Sequence, residues 1–233
     1  MEGKTLRELV MDTETTGLDP RNGDRLVEIA CIEVVNYIPT GRTYHQYINP
    51  ERDMPIEAFN VHGLSAQFLS KKPVFADVVA AFLDFVEDAK LVFHNANFDM
   101  GFINMELGRV AREIVPPQRV IDTLALARRK HPGGPNSLDA LCKRYSIDNS
   151  SRTLHGALLD AQLLAEVYLQ LSGGQQPVFD LTLASETAKR NRAGGVVLVR
   201  PEPLPAHLAE SEIAAHSAFI DGLGENALWR LYE

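Results

Sequence analysis

The chain has 233 residues, with 45% hydrophobic and 23% charged residues, which are ordinary values for a soluble globular protein. Its net charge of −8 argues against a module that grips nucleic acid through a broad basic surface, although an enzyme could still meet phosphates through bound metal ions. No apolar run approaches the roughly 18 residues of a membrane span, and the N-terminal run MEGKTLRELVMD lacks the layout of a signal peptide.

The first half of the chain is rich in predicted strands. Runs of β-forming residues cover Leu9–Asp12, Arg25–Val35 and Arg42–Ile48, and the turn-forming segments GLDPRNGD and NYIPTG separate them. Such short connections favour antiparallel neighbours. The segment PVFADVVAAFLDFVED then has apolar residues at helical spacing, and a short apolar strand follows at Lys90–His94.

Helices and strands alternate in the second half. The pattern predicts a helix beginning near Asn97–Asp99, a strand at Arg119–Ile121 and a helix at Thr123–Lys130. Ser137 is positioned to cap the helix SLDALCKRY, and a last long helix is predicted from about Gly156 to Leu171. Strands first and alternating elements later predict an α/β fold, with a mixed sheet that has an antiparallel first half and is flanked by helices.

The composition changes after the run SGGQQP. Glycine, proline and scattered charge dominate from about Ser172 to Pro205, which is typical of a flexible linker. A helical pattern returns in AESEIAAHSAFIDGL, and the chain closes with ENALWRLYE. We therefore predict a folded domain at residues 1–172, a flexible linker at 173–205 and a separate tail at 206–233.

The two cysteines bear on the compartment. Cys31 and Cys142 each lie within an apolar segment, which favours buried free thiols over a disulfide. We therefore expect a cytoplasmic protein that does not contact a membrane.

Carboxylates and one histidine stand at the ends of several apolar runs. Asp12 and Glu14 are two residues apart in LVMDTETTGL, so on a strand both point to the same face. Asp99 follows HNANF at a strand-to-helix junction, and His155 and Asp160 lie in TLHGALLDAQLL. Carboxylates brought together from distant segments repel one another unless cations hold them, and such oxygen ligands suit Mg²⁺ or Mn²⁺ rather than zinc.

Each of these residues alone has a simpler structural interpretation. The Asp12–Glu14 pair could be a solvated strand end, Asp99 could be a helix cap, and lone histidines are more often structural. If both were helical, His155 and Asp160 would be about 140° apart and would share a face poorly. A His155 in the loop before the helix could instead turn toward Asp160. The conjunction of all five favours a metal-dependent reaction with a proton transfer.

The order and spacing of these five residues resemble the signature of the DEDDh family of 3′→5′ exonucleases, which is Asp-x-Glu, a middle Asp and His-x₄-Asp. Within that family the runs MDTETTGL, PIEAFNVHGLS, NSLDALCKRY and RTLHGALLDAQLLAEVYL look like the proofreading subunits of bacterial DNA polymerase III, over roughly residues 5–172. The resemblance implies a ribonuclease H-like fold. It also implies removal of mismatched 3′-terminal nucleotides from DNA 3′ ends, with release of nucleoside 5′-monophosphates.

The resemblance further implies a mechanism with two divalent cations, Mg²⁺ or Mn²⁺, that activate the attacking water and stabilise the leaving 3′ oxygen. Asp12 would bridge both ions, Glu14 and Asp160 would complete one coordination shell, and Asp99 would contribute to the second. His155 would be the catalytic general base, because an unperturbed imidazole titrates near neutral pH.

Substrate contacts follow from the same resemblance. Glu57 and His62 in PIEAFNVHGL should contact the terminal nucleotide, although Glu57 could merely begin a short helix. Thr15 and Thr16 lie in a turn that could let the backbone approach a ligand closely. The predicted substrate-binding set is completed by Asp12, Glu14 and Asp160. Asp122, which ends another strand, is interpreted as a helix cap, and His94 and Asn95 are expected to order the loop that holds Asp99.

Two motifs in the last third of the chain predict protein partners. Gln175, Val178 and Phe179 resemble peptides that dock in the groove of the sliding clamp, although so short a pattern could also be ordinary linker. Leu228, Trp229 and Leu231 form an apolar cluster beyond the linker. The resemblance names its partner as the alpha subunit of DNA polymerase III, and the alternative is that the tail folds back on its own domain. A small third core subunit is a further candidate partner.

Two other functions are compatible with parts of the sequence. A free-standing DEDDh exonuclease that trims RNA or short oligonucleotides would share every catalytic residue. A scaffold subunit with vestigial chemistry is less consistent with an intact set of five residues. The linker and the Trp229 tail favour the proofreading function.

Overall fold

The structure is a computed structural model in which residues 6–152, 154–173 and 210–223 are described. The chain divides into two units, residues 1–178 and 179–233. The clamp-binding motif at Gln175, Val178 and Phe179 and the tail residues Leu228, Trp229 and Leu231 lie outside the described residues, as do most of the predicted linker and tail.

A five-stranded mixed sheet organises the first unit, with strand order β3-β2-β1-β4-β5. The strands are β1 (Arg7–Thr15), β2 (Leu26–Val35), β3 (Ile38–Tyr47), β4 (Lys90–Phe93) and β5 (Val120–Asp122). Strands β1, β2 and β3 pair antiparallel, whereas β1, β4 and β5 pair parallel. The predicted fold class, a mixed sheet with an antiparallel first half, is confirmed.

The helices of the first unit are α1 (Ile56–His62), α2 (Ala66–Leu69), α3 (Phe75–Val86), α4 (Ala96–Arg109), α5 (Thr123–Lys130), α6 (Leu138–Tyr145) and α7 (Ala157–Leu171). In the second unit, the described residues form one helix, α8 (Glu210–Gly222). Helix α5 has the predicted bounds. Ser137 caps α6 as predicted, since its hydroxyl accepts a hydrogen bond of 3.3 Å from the backbone N–H of Ala140.

A tight hairpin joins β2 to β3. Asn36 and Tyr37 both have positive φ, 51° and 68°, which matches a two-residue turn whose twist suits antiparallel strands. The turn therefore uses only two residues of the segment NYIPTG. As a result β3 begins at Ile38, earlier than the predicted start at Arg42.

The central strand β1 is buried on both sides. Leu9 and Met11 pack with Phe82 in a cluster that includes residues of α3 and α4, whereas Val10 packs with Leu164 of α7 on the opposite face. This alternation follows the two-residue repeat of a strand. Strand β1 is thus fixed by two helical layers, and its C-terminal end is a rigid support for side chains.

Both cysteines, Cys31 and Cys142, are buried and free, as predicted. Among the residues that the structure describes, no helix combines the length and apolar character that a membrane span would need.

Candidate active site

A cleft of about 780 Å³ opens at the C-terminal ends of β1 and β4. Its lining contains all five residues of the sequence signature, and we call these the signature residues: Asp12, Glu14, Asp99, His155 and Asp160. The other predicted substrate-binding residues line the same cleft: Thr15, Thr16, Glu57 and His62. Strands β1 and β4 are parallel neighbours, so the segments that follow them meet at one edge of the sheet.

Strand β1 sends its polar side chains in two directions. Asp12 and Glu14 share the parity of Val10, which packs against α7, the helix that carries Asp160. Thr13 has the opposite parity, and its hydroxyl donates a buried hydrogen bond of 2.7 Å to Oδ1 of Asp99. One strand end therefore brings the acids of two helical layers together.

Asp99 lies in the first turn of α4, and polar contacts order the loop before it. Asn95 precedes the helix with a left-handed φ of 71°, and its backbone N–H donates a hydrogen bond of 3.1 Å to Asp122. Asp122 also caps α5, as predicted, by accepting a hydrogen bond of 2.9 Å from a backbone amide in its first turn. Nδ1 of His94 lies 2.9 Å from the hydroxyl of Thr123. These contacts support the predicted ordering role of His94 and Asn95.

His155 lies in the loop before α7 rather than on the helix. Its backbone N–H donates a hydrogen bond of 3.0 Å to the carbonyl of Val61, and its Nδ1 lies 3.3 Å from Oδ2 of Asp160. The side chain of His155 is 50% exposed, whereas that of Asp160 is only 3% exposed. The half-exposed imidazole can reach a substrate in the cleft, and the buried carboxylate of Asp160 keeps the ring in position.

A further buried acid, which the sequence analysis did not identify, contacts the N-terminus of helix α7. Glu28 of β2 lies opposite Glu14 in the strand register, and its Oε2 accepts a hydrogen bond of 3.2 Å from the backbone N–H of Ala157. Its other oxygen lies 2.6 Å from Nε2 of His45. A carboxylate at a helix N-terminus is favoured by the unpaired amides there. Glu28 thus fixes the start of the helix that carries Asp160.

The donor set fits hard divalent cations. Glu14, His155 and Asp160 each offer a ligand atom, and these atoms lie within 4.8 Å of one another. Asp12 and Asp99 add two carboxylates to the same cleft. A site dominated by carboxylate oxygens suits Mg²⁺ or Mn²⁺ better than softer metals.

The electrostatics of the carboxylates indicate a deficit of positive charge. Burial, followed by repulsion from Asp99 and Glu14, raises the pKa of Asp12 well above its usual range. Burial and the nearby Glu28 raise the pKa of Glu14 to about 8. Burial raises the pKa of Asp99 to about 7, although the hydrogen bond from Thr13 opposes the rise. Without cations the charged forms of these carboxylates are disfavoured, and bound cations would relieve that penalty.

Arg152 is a second residue that sequence reasoning missed. Its Nε and Nη2 lie 2.5 and 2.7 Å from the two oxygens of Asp160, and Nη2 also lies 2.8 Å from Nδ1 of His155. Its Nη1 lies 2.8 Å from Oδ1 of Asp139. Its position in the sequence could have indicated this role, because Arg152 is a cation three residues before His155 in the run RTLHGALLDAQ.

The hydroxyls of Thr15 and Thr16 serve the turn after β1. Thr15 donates a hydrogen bond of 2.6 Å to the carbonyl of Gly17, and Thr16 donates one of 3.3 Å to Asp24. A Cβ at Gly17 would lie 2.3 Å from Oδ2 of Asp24, so a larger residue would displace the Asp24 carboxylate or the turn. With both hydroxyls engaged, a contact from this turn to a ligand would come chiefly from the backbone.

Helix α1 forms one wall of the cleft. Glu57 is exposed near its start, whereas His62 is buried at its end. Nδ1 of His62 accepts a hydrogen bond of 3.0 Å from the backbone N–H of Leu64, so Nε2 carries the ring hydrogen. Nε2 of His62 is buried and lacks a hydrogen-bond partner of good geometry among the described residues, so a ligand would reach this donor only after a local shift of the wall.

Comparison with known proteins agrees with this geometry. Residues 9–168 match the exonuclease family. The chain is 44% identical to DNA polymerase III subunit epsilon of Rickettsia felis, over 96% of this chain and 99% of that protein. It is 46% identical to the subunit of the same name from Salmonella typhimurium, over 96% of this chain and 97% of that protein.

A solved structure supports the fold independently. The nuclease domain of 3′hExo, a DEDDh family member bound to rAMP, superposes with a TM-score of 0.63 at 16% identity, over 76% of this chain and 98% of that domain. So low an identity bears on the fold alone. The family match and the two relatives, which extend over nearly the whole chain, identify it more closely. The chain belongs to the exonuclease family and, within it, to the epsilon subunits of DNA polymerase III.

Proposed function

We propose that this chain is the proofreading subunit of a bacterial replicative polymerase, a metal-dependent 3′→5′ exonuclease that removes mismatched 3′-terminal nucleotides from DNA. The observation that carries the proposal is the convergence of the signature residues on one cleft at the end of a rigid strand. The near full-length similarity to epsilon subunits supports it.

The four carboxylates are the proposed ligands of two divalent cations, Mg²⁺ or Mn²⁺. Bound ions would supply the positive charge that activates an attacking water and stabilises the leaving 3′ oxygen. Asp12, Glu14 and Asp160 would hold cations from the α7 side of the cleft, and Asp99, which accepts a hydrogen bond from Thr13, would do so from the α4 side.

His155 is the proposed general base. Its ring is half exposed in the cleft and 3.3 Å from Asp160, so it can take the proton of a water held against the phosphodiester. The oxygen of that water forms the new bond to phosphorus as the bond to the 3′ oxygen breaks. The products would be a nucleoside 5′-monophosphate and a strand shortened by one nucleotide.

The wall of the cleft is suited to bind a terminal nucleotide. The exposed carboxylate of Glu57 can accept a hydrogen bond from a sugar hydroxyl, and a small shift of the wall would let the buried Nε2–H of His62 donate to a sugar or phosphate oxygen. Leu18, which is 84% exposed, and the half-exposed Val61 line the same cleft and offer apolar surface to a base. We expect the backbone around Thr15 and Thr16 to contact the same nucleotide.

The proposed partners are assigned to segments outside the described residues. Leu228, Trp229 and Leu231 would bind the polymerase alpha subunit, and Gln175, Val178 and Phe179 would engage the sliding clamp. A net charge of −8 predicts weak binding to DNA by this chain alone. A tether to the polymerase would offset that weakness by raising the local concentration of the nuclease at the primer end. The proposed location is the cytoplasm, with a small third core subunit as a further partner.

Digestion assays test the proposed function. Full-length protein is incubated with equal lengths of 3′-mismatched DNA, fully paired DNA and RNA, with Mg²⁺ or with EDTA. We expect nucleoside 5′-monophosphates to be released fastest from the mismatched DNA and not at all with EDTA. Faster digestion of RNA would favour the free-standing RNA-trimming nuclease instead.

Two variants tie the activity to the site. Replacing Asp12 and Glu14 together by alanine should abolish release, whereas Asp88→Ala, which removes an exposed carboxylate after α3, should not change it.

Deleting the residues after Ser172 should leave digestion intact and abolish co-purification with the alpha subunit. A complex that survives the deletion would contradict the assignment of the tail.

A further inference from the structure

Arg152 engages both the predicted base and a predicted metal ligand. Its guanidinium contacts both oxygens of Asp160 and Nδ1 of His155, and its side chain is only 9% exposed. Guanidinium nitrogens donate hydrogen bonds and do not accept them. Nδ1 of His155 is therefore the acceptor in this contact, and its lone pair is occupied.

This arrangement opposes the binding of an ion at Asp160 and the use of His155 as a base in the proposed reaction. Both oxygens of Asp160 accept hydrogen bonds from Arg152, so an ion at this carboxylate would have only their remaining lone pairs as ligands. It would also lie beside a full positive charge in a partly buried site, where repulsion is stronger than in water. His155 would in addition lack a free Nδ1 for the proton.

We propose that Arg152 is an internal cation that occupies Asp160 and His155 while the site is free of metal and is displaced when an ion binds. The inference rests on the proposed function of the same site. Asp139 provides the resting place, because its 59%-exposed carboxylate already accepts a hydrogen bond of 2.8 Å from Nη1 of Arg152. The guanidinium can keep this contact while it leaves Asp160. Metal binding thereby frees the ring nitrogen of His155.

A permanent structural role for Arg152 predicts the opposite behaviour. If the arginine merely held Asp160 in position, its loss would disorder the carboxylate and weaken metal binding. If the arginine competes with the ion, its loss should strengthen metal binding. The sign of the change in affinity therefore separates the two roles.

Mn²⁺ titration of the metal-free, full-length protein measures that sign. Arg152→Gln removes the charge while keeping a long polar side chain, and we expect it to tighten Mn²⁺ binding by about tenfold, the scale on which one close charge shifts such an equilibrium. Arg144→Gln is the matched control, since Arg144 is exposed on α6 and bonds Asn136 outside the signature residues. The control should bind Mn²⁺ with unchanged affinity.

Unchanged or weaker binding by Arg152→Gln would overturn the inference. Should that variant not fold, Arg152→Lys carries the test: it keeps the charge but loses the two-point contact, and a smaller gain in affinity is expected. Failure of the wild-type protein to bind Mn²⁺ at all would overturn the proposed function itself.

Nitrogen NMR of the histidine rings gives a second readout at fixed pH. In metal-free wild-type protein Nδ1 of His155 should have the shift of a hydrogen-bonded acceptor, and Mg²⁺ should change it. In Arg152→Gln the metal-free signal should already resemble the Mg²⁺ form of the wild type. A His155 signal that Mg²⁺ does not alter in the wild type would contradict the displacement.

Discussion

The hydroxyl of Thr13 donates a 2.7 Å hydrogen bond to Asp99, and this buried contact joins strand β1 to helix α4 within the active site. It connects residues that are 86 positions apart in the chain. Because Thr13 stands between Asp12 and Glu14, the bond places Asp99 against the same strand end as the other two acids. It is also one of the few contacts that favour the charged form of Asp99.

Replacing Thr13 by valine keeps the shape of the side chain and removes this hydrogen bond. The buried carboxylate then loses a donor, which should lower the free energy of unfolding by about 1–3 kcal/mol. We also expect weaker metal binding, because Asp99 becomes harder to ionise and is no longer fixed. Denaturant unfolding and Mn²⁺ titration measure the two effects. Thr13→Ser retains the hydroxyl and should remain close to the wild type; equal losses in both variants would show that the hydrogen bond is not the cause.

The raised pKa of Glu14 makes the metal-free protein sensitive to pH. The pKa is about 8 in the folded state and near 4.5 when the group is unperturbed, so the folded protein binds more protons than the unfolded chain between these values. The free energy of unfolding should therefore fall as pH rises through this window. Glu14→Gln should reduce this fall in the free energy of unfolding. The variant should stabilise the metal-free protein by a few kcal/mol at pH 8 and have little effect at pH 4.

Unfolding with EDTA at the two pH values tests this linkage. The exposed Glu113 supplies the control, since Glu113→Gln should not alter the pH dependence. Added Mn²⁺ should stabilise the wild type more at pH 8 than at pH 4, because ions then replace fewer protons. Stability that rises with pH in the metal-free wild type would refute this account of the buried acids.

Removal of the His155 side chain should separate catalysis from folding. The ring is half exposed and belongs to a loop, so His155→Ala should leave the unfolding free energy nearly unchanged. The rate of nucleotide release should fall by about 10²–10⁴-fold, as expected for loss of a general base. The pH–rate profile should change shape as well, because the group that accepts the proton is lost. A profile of unaltered shape would assign the proton transfer to another group.

Gly17 tests the turn that follows the catalytic strand. Gly17→Ala places a Cβ 2.3 Å from the Asp24 carboxylate, so this carboxylate and the turn that it bonds must shift, at a cost of about 1–3 kcal/mol. Activity should fall too, because Thr15 and Thr16 move with the turn. Gly108→Ala is the contrasting change: nothing lies within 4 Å of its Cβ on α4, and alanine should stabilise that helix by about 0.5–1 kcal/mol. If both variants had the same stability, the tight approach to Asp24 would not matter.

Local patterns were sufficient for the order of the strands and the longer helices and for the position of His155, whereas the short helix α2 was not predicted. The 140° separation of His155 and Asp160 on an ideal helix predicted that the histidine would lie in a loop, and it does so. The start of β3 was wrong, because Asn36 and Tyr37 complete the turn alone in a conformation that tyrosine seldom adopts.

The supporting contacts of the site could not be predicted in the same way. Thr13 to Asp99 and Glu28 to Ala157 join residues that are distant in the chain, and no local spacing indicates such pairs. Arg152 was close enough to be considered. Its contacts were still hidden, because the sequence around an arginine is the same whether the side chain lies on the surface or contacts both Asp160 and His155.

The alternation of side chains along β1 has a consequence for misfolded molecules. A strand that pairs one residue out of place turns every side chain to the opposite face. In such a register Leu9 and Met11 would no longer face their apolar layer, and Asp12 and Glu14 would no longer face α7. The core and the active site therefore form only in the same molecules. A titration of active sites in a preparation also counts the molecules whose sheet has the correct register.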